Sequence, residues 1–257
     1  MTHETDPSSV RLDIDGSIAR LTLNRPDQHN ALTAPGVARF LEHLDHISGN
    51  DRLRVVVLTG TGESTFCAGA SLQEMESGRM SGALFDTLTD RIAAVRLPTV
   101  CALNGSVYGG GAEIALCCDF RIGADGIRLS VPASKLGVCY PLGGLRRYVE
   151  RLGLATANRI LLAAEELDTE EMQRVGFLTH RVPRSILGAE TDALARRLTE
   201  SAPTAVQAMK QITLGIASGT LDVGTAEALI ARCAESEDLK EGLRARREGR
   251  SPRFEGR

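Results

Sequence analysis

Two segments of the chain place several small residues directly after a run that is typical of a buried strand. The first is Phe66-Cys-Ala-Gly-Ala-Ser-Leu72, and the second is Asn104-Gly-Ser-Val-Tyr-Gly-Gly-Gly-Ala-Glu113. We expect a helix to begin in each segment, and the first N–H groups of a helix have no intrahelical acceptor. Two such junctions can together form an oxyanion hole, in which N–H donors stabilise a developing negative charge. Glu113 follows one turn later, where a carboxylate can act as a general base.

These features also have structural explanations that the residues alone leave open. A glycine triple such as Gly109–Gly111 is often only a tight turn, because glycine adopts conformations that other residues avoid. A single glutamate on a helix is usually a surface residue. Ser71-Leu-Gln-Glu74 has the spacing of a capping box, which predicts a helix that begins at Ser71.

Other kinds of site receive less support from the sequence. Gly60-Thr-Gly62 follows a strand, but Thr65 stands where a dinucleotide-binding loop has its third glycine. There is no P-loop motif and no G-x-S-x-G motif. His43 and His46 share one helix face, but no acidic residue or cysteine is evidently directed at them, so we interpret this face as solvated. We expect no metal site.

The elements that must position the two segments alternate between strand and helix in the first half of the chain. Asp15-Gly16 between two apolar runs predicts a β-hairpin. Thr33 is expected to open a helix that Gly49 ends. This alternation predicts an α/β fold. The remaining predicted strands are Arg54–Thr59, Thr99–Leu103, Phe120–Ala124 and Ile127–Ser130, and a helix is predicted over Gly110–Cys118.

Helical patterning dominates from Leu145 onward. Two apolar stripes at helical spacing stand out, and such stripes at a chain end usually pack on the core or on a neighbouring subunit. They consist of Val206, Met209, Thr213 and Ile216 and of Ala226, Leu229, Ile230 and Cys233.

Composition narrows the function classes. The 257 residues carry a formal net charge of −3, with 42% apolar and 25% charged residues. This balance is ordinary for a globular protein and argues against a dedicated nucleic-acid binder. No apolar run is long enough for a membrane span, and the polar start from Met1 to Pro7 does not resemble a signal peptide, so we expect a cytoplasmic protein. The adjacent Cys117 and Cys118 are interpreted as small buried residues.

Taken together, the motifs resemble the enoyl-CoA hydratase/isomerase (crotonase) superfamily. The resemblance runs from about Ile18 to the tail around Phe254, and its segments are Leu23-Asn-Arg-Pro26, Asn30-Ala-Leu32, Val55–Gly60, Phe66–Ala70 and Asn104–Glu113. It implies a ClpP-like spiral of β-β-α units over residues 1–190 and a helical trimerisation region over 191–257. It also implies a trimer or a dimer of trimers that acts on an acyl-CoA thioester.

The resemblance implies roles for individual residues. The N–H groups of Ala70 and Gly110 would form the oxyanion hole for an enolate, and Glu113 would be the acid–base group. Coenzyme A enters only as part of the substrate, so no separate cofactor is implied. The residues that would contact the substrate are Arg25 at a phosphate, His29 and Ala31 on the adenine side, Ala68 and Leu72 along the pantetheine, Gly109, Pro132 and Ala133 near the thioester, and Phe254 from the tail.

Two departures from the family pattern bear on the reaction. Hydratases of this family use a second carboxylate directly after the proline at position 132, and here that residue is Ala133. Tyr140 resembles the residue found in the methylmalonyl-CoA decarboxylase branch, where it would be a catalytic polar partner. We therefore expect hydratase or isomerase chemistry, with decarboxylation as the alternative. A third possibility of another class is a non-catalytic scaffold that binds acyl-CoA or, through its arginine-rich tail, RNA.

Overall fold

The computed structural model describes residues 8–257, so the polar start over residues 1–7 lies outside the described part. Nine strands lie within it, in two sheets. They are β1 Val10–Asp15, β2 Ile18–Leu23, β3 Val55–Gly60, β4 Thr65–Cys67, β5 Thr99–Leu103, β6 Ser106–Tyr108, β7 Phe120–Ala124, β8 Leu129–Ser130 and β9 His180–Val182.

Ten α-helices connect and follow these strands in the described residues. They are α1 Ala34–Ser48, α2 Leu72–Glu76, α3 Gly82–Ala93, α4 Gly110–Leu116, α5 Leu142–Leu161, α6 Thr169–Arg174, α7 Leu187–Thr199, α8 Pro203–Ser218, α9 Val223–Glu235 and α10 Glu237–Glu248. Short 3₁₀ helices cover Pro26–Gln28, Pro132–Leu136 and Arg184–Ile186. The α/β class and the alternation in the first half are confirmed.

The main sheet has six strands in the order β1-β2-β3-β5-β7-β9. The predicted hairpin joins β1 and β2 in antiparallel register, and all later neighbours in this sheet are parallel. Strands of a parallel sheet are buried on both faces, so their sequences are continuous runs of apolar residues. Val55, Val56, Val57 and Leu58 are each at most 3% exposed, as that rule requires.

The second sheet is small and decides where the site lies. Its three strands, in the order β4-β6-β8, are all parallel. Each is too short to form much of a core, but their carboxyl ends all meet at one edge. In open parallel sheets, ligands bind outside that edge.

Two local predictions are corrected by the structure. Ser71 precedes α2 as predicted, but its side chain makes no capping hydrogen bond. The Glu74 carboxylate instead accepts a hydrogen bond of 2.5 Å from the N–H of Ala34, at the start of α1. His43 is buried rather than solvated, and its Nε2 lies 3.1 Å from the carbonyl oxygen of Val10. Both side chains hold α1 to a neighbouring segment, a contact that local spacing does not reveal.

The helices of the C-terminal region differ in what they cover. Helix α7, which contains residue 190, packs against β3, β5 and β7. Helices α8 and α9 pack on each other and leave much of their apolar stripes exposed, with Met209, Ile216 and Ile230 each about 60% accessible. No helix among residues 8–257 combines the length and apolarity needed to cross a membrane.

Candidate active site

Three loops converge because three neighbouring parallel strands end at the same edge. Strand β4 leads into residues 68–70, β6 leads into Gly109 and Gly110, and β8 leads into Pro132 and Ala133. The register places Tyr108 beside Ser130, and the N–H of Gly109 donates to the carbonyl oxygen of Ser130 at 3.0 Å. The segments singled out in the sequence are therefore brought together by the second sheet.

The two loops with small residues approach more closely than side chains would allow. A β-carbon on Gly69, where φ is +82°, would lie 2.5 Å from the nitrogen of Gly110. Gly111 is packed directly against the carbonyl oxygen of Cys67. The N–H groups of Ala70 and Gly110 have no hydrogen-bond acceptor within the described residues. Two adjacent, unpaired N–H donors are what an oxyanion hole requires.

Glu113 is buried beneath this pair of loops, not on the helix surface. Its side chain is 1% exposed, and its Oε1 accepts a hydrogen bond of 2.7 Å from Arg147. Its Oε2 is buried without a hydrogen-bond partner in the described chain. Burial raises the pKa of the Glu113 carboxyl above its ordinary value of 4.5, against the opposing effects of Thr89 and Arg147. A carboxyl with a raised pKa and one free oxygen is suited to donating or accepting a proton.

Arg147 is a site residue that the sequence analysis missed. It lies on α5, and one of its terminal nitrogens contacts both Glu113 and the hydroxyl of Thr89, at 2.7 and 3.0 Å. Its other terminal nitrogen pairs with Asp90 on α3. The arginine thereby fixes the position of Glu113 while leaving Oε2 free. Nothing in local spacing signals this role, because α3, α4 and α5 meet only in the folded chain.

Tyr140 lies just ahead of α5 on the same side as Glu113. Its ring packs edge to face on Tyr148, with 5.9 Å between the ring centroids. Burial raises the pKa of Tyr140, and the negative charge of Glu113 adds to the effect. The hydroxyl therefore remains protonated at neutral pH and can only donate or accept a hydrogen bond there.

The position that departs from the family pattern has no acid–base group. Ala133 is 8% exposed and lies in the 3₁₀ helix after β8. Its neighbour Ser134 is exposed and donates a hydrogen bond to the carbonyl oxygen of Leu162.

Two asparagines of the quoted motifs hold the loops together. Asn30 is buried and donates to the carbonyl oxygens of Thr61 and Thr65, at 3.0 and 2.8 Å. Asn104 accepts from the N–H of Gly60 at 2.9 Å and donates to the carbonyl oxygen of Gly62 at 2.7 Å. The motif residues thus build the scaffold that presents residues 68–70.

The residues expected on the coenzyme A side lie next to this scaffold. The N–H of Ala68 donates to the carbonyl oxygen of His29 at 3.0 Å, and Leu32 pairs with Ala70 in an isolated bridge. His29 and Leu72 are exposed. Arg25 donates to the carbonyl oxygen of Ala31 at 2.8 Å and also contacts Gln28, so its side chain is already hydrogen-bonded within its own loop.

Phe254 is not brought to the other site residues within one chain. Its carbonyl oxygen lies 3.4 Å from Arg54, the residue before β3, and its ring faces Gly242 on α10. The site lies beyond the carboxyl ends of the strands, whereas Arg54 is at an amino end.

Comparisons with known proteins agree with this geometry. The sequence model of the family described as Enoyl-CoA hydratase/isomerase matches residues 13–257. The chain is 31% identical to a short-chain-enoyl-CoA hydratase of Clostridium acetobutylicum over 93% of this chain and 94% of that one. It is also 31% identical to a 2,3-dehydroadipyl-CoA hydratase of Escherichia coli, over 92% of this chain and 94% of that one.

Solved structures give the same answer for the fold. A crystal structure of an enoyl-CoA hydratase from Bacillus anthracis superposes with a TM-score of 0.88 at 28% identity, covering 97% of this chain and all of that one. An enoyl-CoA hydratase/carnithine racemase from Magnetospirillum magneticum gives 0.90 at 30% identity, covering 97% and 96%. With a matching family model, two relatives above 30% identity and a shared crotonase fold, the chain belongs to the enoyl-CoA hydratase/isomerase family of enzymes.

Proposed function

We propose that this enzyme hydrates the double bond of an enoyl-CoA thioester through an enolate. The observation that carries the proposal is the pairing of two unpartnered N–H groups, from Ala70 and Gly110, with the free Oε2 of buried Glu113. The two N–H groups suit a thioester oxygen that gains negative charge. The free Oε2 can donate or accept a proton beside that oxygen.

In the proposed reaction, the oxygen of a water molecule bonds to the β-carbon of the enoyl group. The π electrons move onto the thioester oxygen, where the N–H groups of Ala70 and Gly110 hold the negative charge. A carboxylate takes one proton from the water, and a carboxyl returns one to the α-carbon as the enolate collapses. Glu113 takes part in these proton transfers, and Arg147 fixes the orientation of its carboxyl group. Loss of one oxyanion donor typically costs about 10²–10³ in rate.

The coenzyme A side of the site is proposed to follow the segment from Arg25 to Leu72. His29 and Ala31 would face the adenine, and Ala68 and Leu72 would line the pantetheine path up to Gly109, Pro132 and Ala133. Arg25 would have to break its hydrogen bond to the carbonyl oxygen of Ala31 before its side chain could contact a phosphate of coenzyme A. Phe254 would contact the nucleotide only across a subunit boundary.

A cytoplasmic trimer or dimer of trimers is proposed as the working form. The exposed apolar residues of α8 and α9 support an assembly, because a monomer rarely leaves a contiguous apolar patch in water.

Decarboxylation of a malonyl-type thioester is the second candidate function. Two observations favour decarboxylation. The charge of Glu113 raises the pKa of Tyr140, so the two side chains lie in one region, and position 133 is an alanine. The oxyanion hole would hold the same enolate, and Tyr140 would donate a hydrogen bond to the departing carboxylate.

A role restricted to RNA binding gains little support from the arginine-rich tail. Arg244 and Arg250 both pair with Glu241, and Arg257 pairs with Glu255. Paired arginines project a weaker positive potential than the sequence count suggests.

Mass spectrometry of the protein with crotonyl-CoA and, separately, methylmalonyl-CoA tests these proposals. We expect crotonyl-CoA to gain one water molecule. Loss of carbon dioxide from methylmalonyl-CoA, without hydration of crotonyl-CoA, would replace the hydratase proposal by the decarboxylase proposal. If neither thioester changes, capture of intact butyryl-CoA would show a binding site without these activities.

A further inference from the structure

Unpaired polar atoms are concentrated around Glu113. Within residues 8–257, four buried side-chain polar atoms lack a hydrogen-bond partner, and three of them belong to Asp86, Glu113 and Tyr148. Leaving a buried polar atom unpaired is unfavourable, so each of these atoms calls for an explanation. The Oδ1 of Asp86 is one of these atoms, and nothing in the sequence analysis singled out this residue.

The carboxylates of Asp86, on α3, and Glu113, on α4, both lie against the first turn of α5. A β-carbon on Gly143 would lie 2.6 Å from Oδ1 of Asp86, and one on Gly144 would lie 2.8 Å from Oε2 of Glu113. These glycines are consecutive in the first turn of α5. Each therefore leaves room for a carboxylate, and the positive end of the helix dipole favours negative charge there.

Within residues 8–257, Oδ1 of Asp86 has no hydrogen-bond partner that would explain its position. Arg147 follows the two glycines on α5, and its contacts go to Glu113, Thr89 and Asp90. The negative charge of Asp86 also contributes to the raised pKa of Glu113, as a like charge nearby does. Two carboxylates that lie against consecutive glycines of one turn, each with an unpaired oxygen, are an arrangement that can exchange a proton directly or through a water molecule.

We propose that Asp86 is the second acid–base carboxylate of this site and takes over the task for which residue 133 has no suitable side chain. This inference rests on the proposed hydration and divides its proton transfers. Asp86 accepts a proton from the water as the C–O bond forms, and Glu113 gives its proton to the α-carbon. A proton shared between the two carboxylates then restores the starting state, so the reaction adds one water molecule and consumes nothing else.

The test is Asp86→Asn, which keeps the size of the side chain and removes its basicity. We expect kcat for crotonyl-CoA to fall by about 10²–10⁴, because that is the usual contribution of a general acid or base. KM and the binding of unreactive butyryl-CoA should change little. The matched control is Asp45→Asn, which removes an exposed carboxylate of α1 that pairs with Arg91 on α3.

The pH profile separates catalysis from a structural role. The titratable groups around Glu113 are Asp86 from α3, Arg147 and Tyr148 from α5, Tyr140 ahead of α5 and Cys117 directly after α4, and Arg147 also pairs with Asp90 from α3. Removal of the like charge at position 86 lowers the pKa of Glu113. Glu113 then loses its proton at lower pH, and the descending limb of the kcat profile moves in that direction.

Three results would count against Asp86. A rate within about twofold of the wild type, a margin close to half a kcal/mol, with an unchanged pH profile would remove Asp86 from the chemistry. Joint loss of butyryl-CoA binding and thermal stability would make it a structural residue. If the wild-type enzyme itself leaves crotonyl-CoA unchanged, the hydration proposal fails, and the division of its proton transfers fails with it.

Discussion

At the residue scale, the site depends on how one buried carboxyl is held. Within the described residues, Glu113 has a cation at one oxygen and no hydrogen-bond partner at the other, so its charge is only partly compensated. Structural carboxylates usually have both oxygens satisfied, because an unpaired buried charge is costly. The residue is therefore held in an arrangement that favours proton transfer over stability.

Glu113→Gln is expected to lower kcat by about 10²–10⁴ while leaving butyryl-CoA binding intact, because the amide keeps the shape but transfers no proton. The readout is the rate of crotonyl-CoA hydration beside isothermal titration with butyryl-CoA. Glu42→Gln, at an exposed residue of α1, is the matched control. A variant that keeps the wild-type rate would remove Glu113 from the reaction.

The same substitution should change how stability depends on pH. The pKa of Glu113 is raised in the folded state, so this group favours folding below its ordinary value of 4.5. That contribution disappears as the pH rises through the raised value. We expect Glu113→Gln to have a thermal midpoint at pH 8 equal to or above that of the wild type. A clearly lower midpoint would mean that the pair with Arg147 stabilises the fold.

At the element scale, the first turn of α5 shapes the floor of the site. Gly143 and Gly144 let this turn approach two carboxylates, and Arg147 follows on the same helix. Helix α5 therefore sets both the space around Glu113 and its ion pair.

Gly144→Ala is expected to displace the Glu113 carboxylate, because the new β-carbon would lie 2.8 Å from Oε2. Overpacking of this kind costs about 1–3 kcal/mol, and a displacement near 1 Å can reduce the rate by about 10². Activity and thermal unfolding are measured together. Gly188→Ala on α7 is the control, since nothing lies within 4 Å of its added β-carbon. Wild-type activity in Gly144→Ala would show that the carboxylate can shift freely.

His43 joins α1 to β1 and should make this contact sensitive to acid. Burial lowers the pKa of His43 below 6.5. Its contribution to stability is therefore present above 6.5 and lost as the pH falls through the folded value. We expect the thermal midpoint of His43→Gln to fall less between pH 7.5 and pH 5 than that of the wild type. Equal pH dependence in both proteins would rule out this residue as the cause.

At the scale of the whole molecule, the strands of the main sheet bury most of their apolar side chains, whereas helices α8 and α9 leave several of theirs exposed. Met209, Ile216 and Ile230 are each about 60% exposed on α8 and α9. Burying a large apolar side chain contributes about 1.5–3 kcal/mol, so an interface there would be substantial.

If the proposed oligomer forms through these helices, Met209→Arg combined with Ile230→Arg is expected to reduce its mass in light scattering toward 27.5 kDa. An arginine in an apolar interface would be desolvated without a partner. Ile14→Arg, on the edge strand β1, is the control at a different exposed apolar residue. An unchanged mass in the double variant would place the interface elsewhere.

The sequence by itself determined the alternation of strands and helices in the first half of the chain, the two loops with small residues and the family. These features are local, because they depend on apolar periodicity, turn residues and motifs that can be read within about ten residues. The start of α1 at Ala34 and the bounds of β5 follow from such signals. The family assignment followed from several motifs that occur in a fixed order.

Only the tertiary structure decided how the chemistry is arranged. Arg147 pairs with Glu113 from 34 residues further along the chain, and Asp86, 27 residues before Glu113, lies against the same turn of α5; no spacing rule connects these residues. The burial of His43 and the placement of Phe254 at the amino end of β3 depend on packing between distant segments in the same way. Desolvation sets the pKa of a carboxyl through everything packed around it, so proton-transfer chemistry becomes visible only in the folded chain.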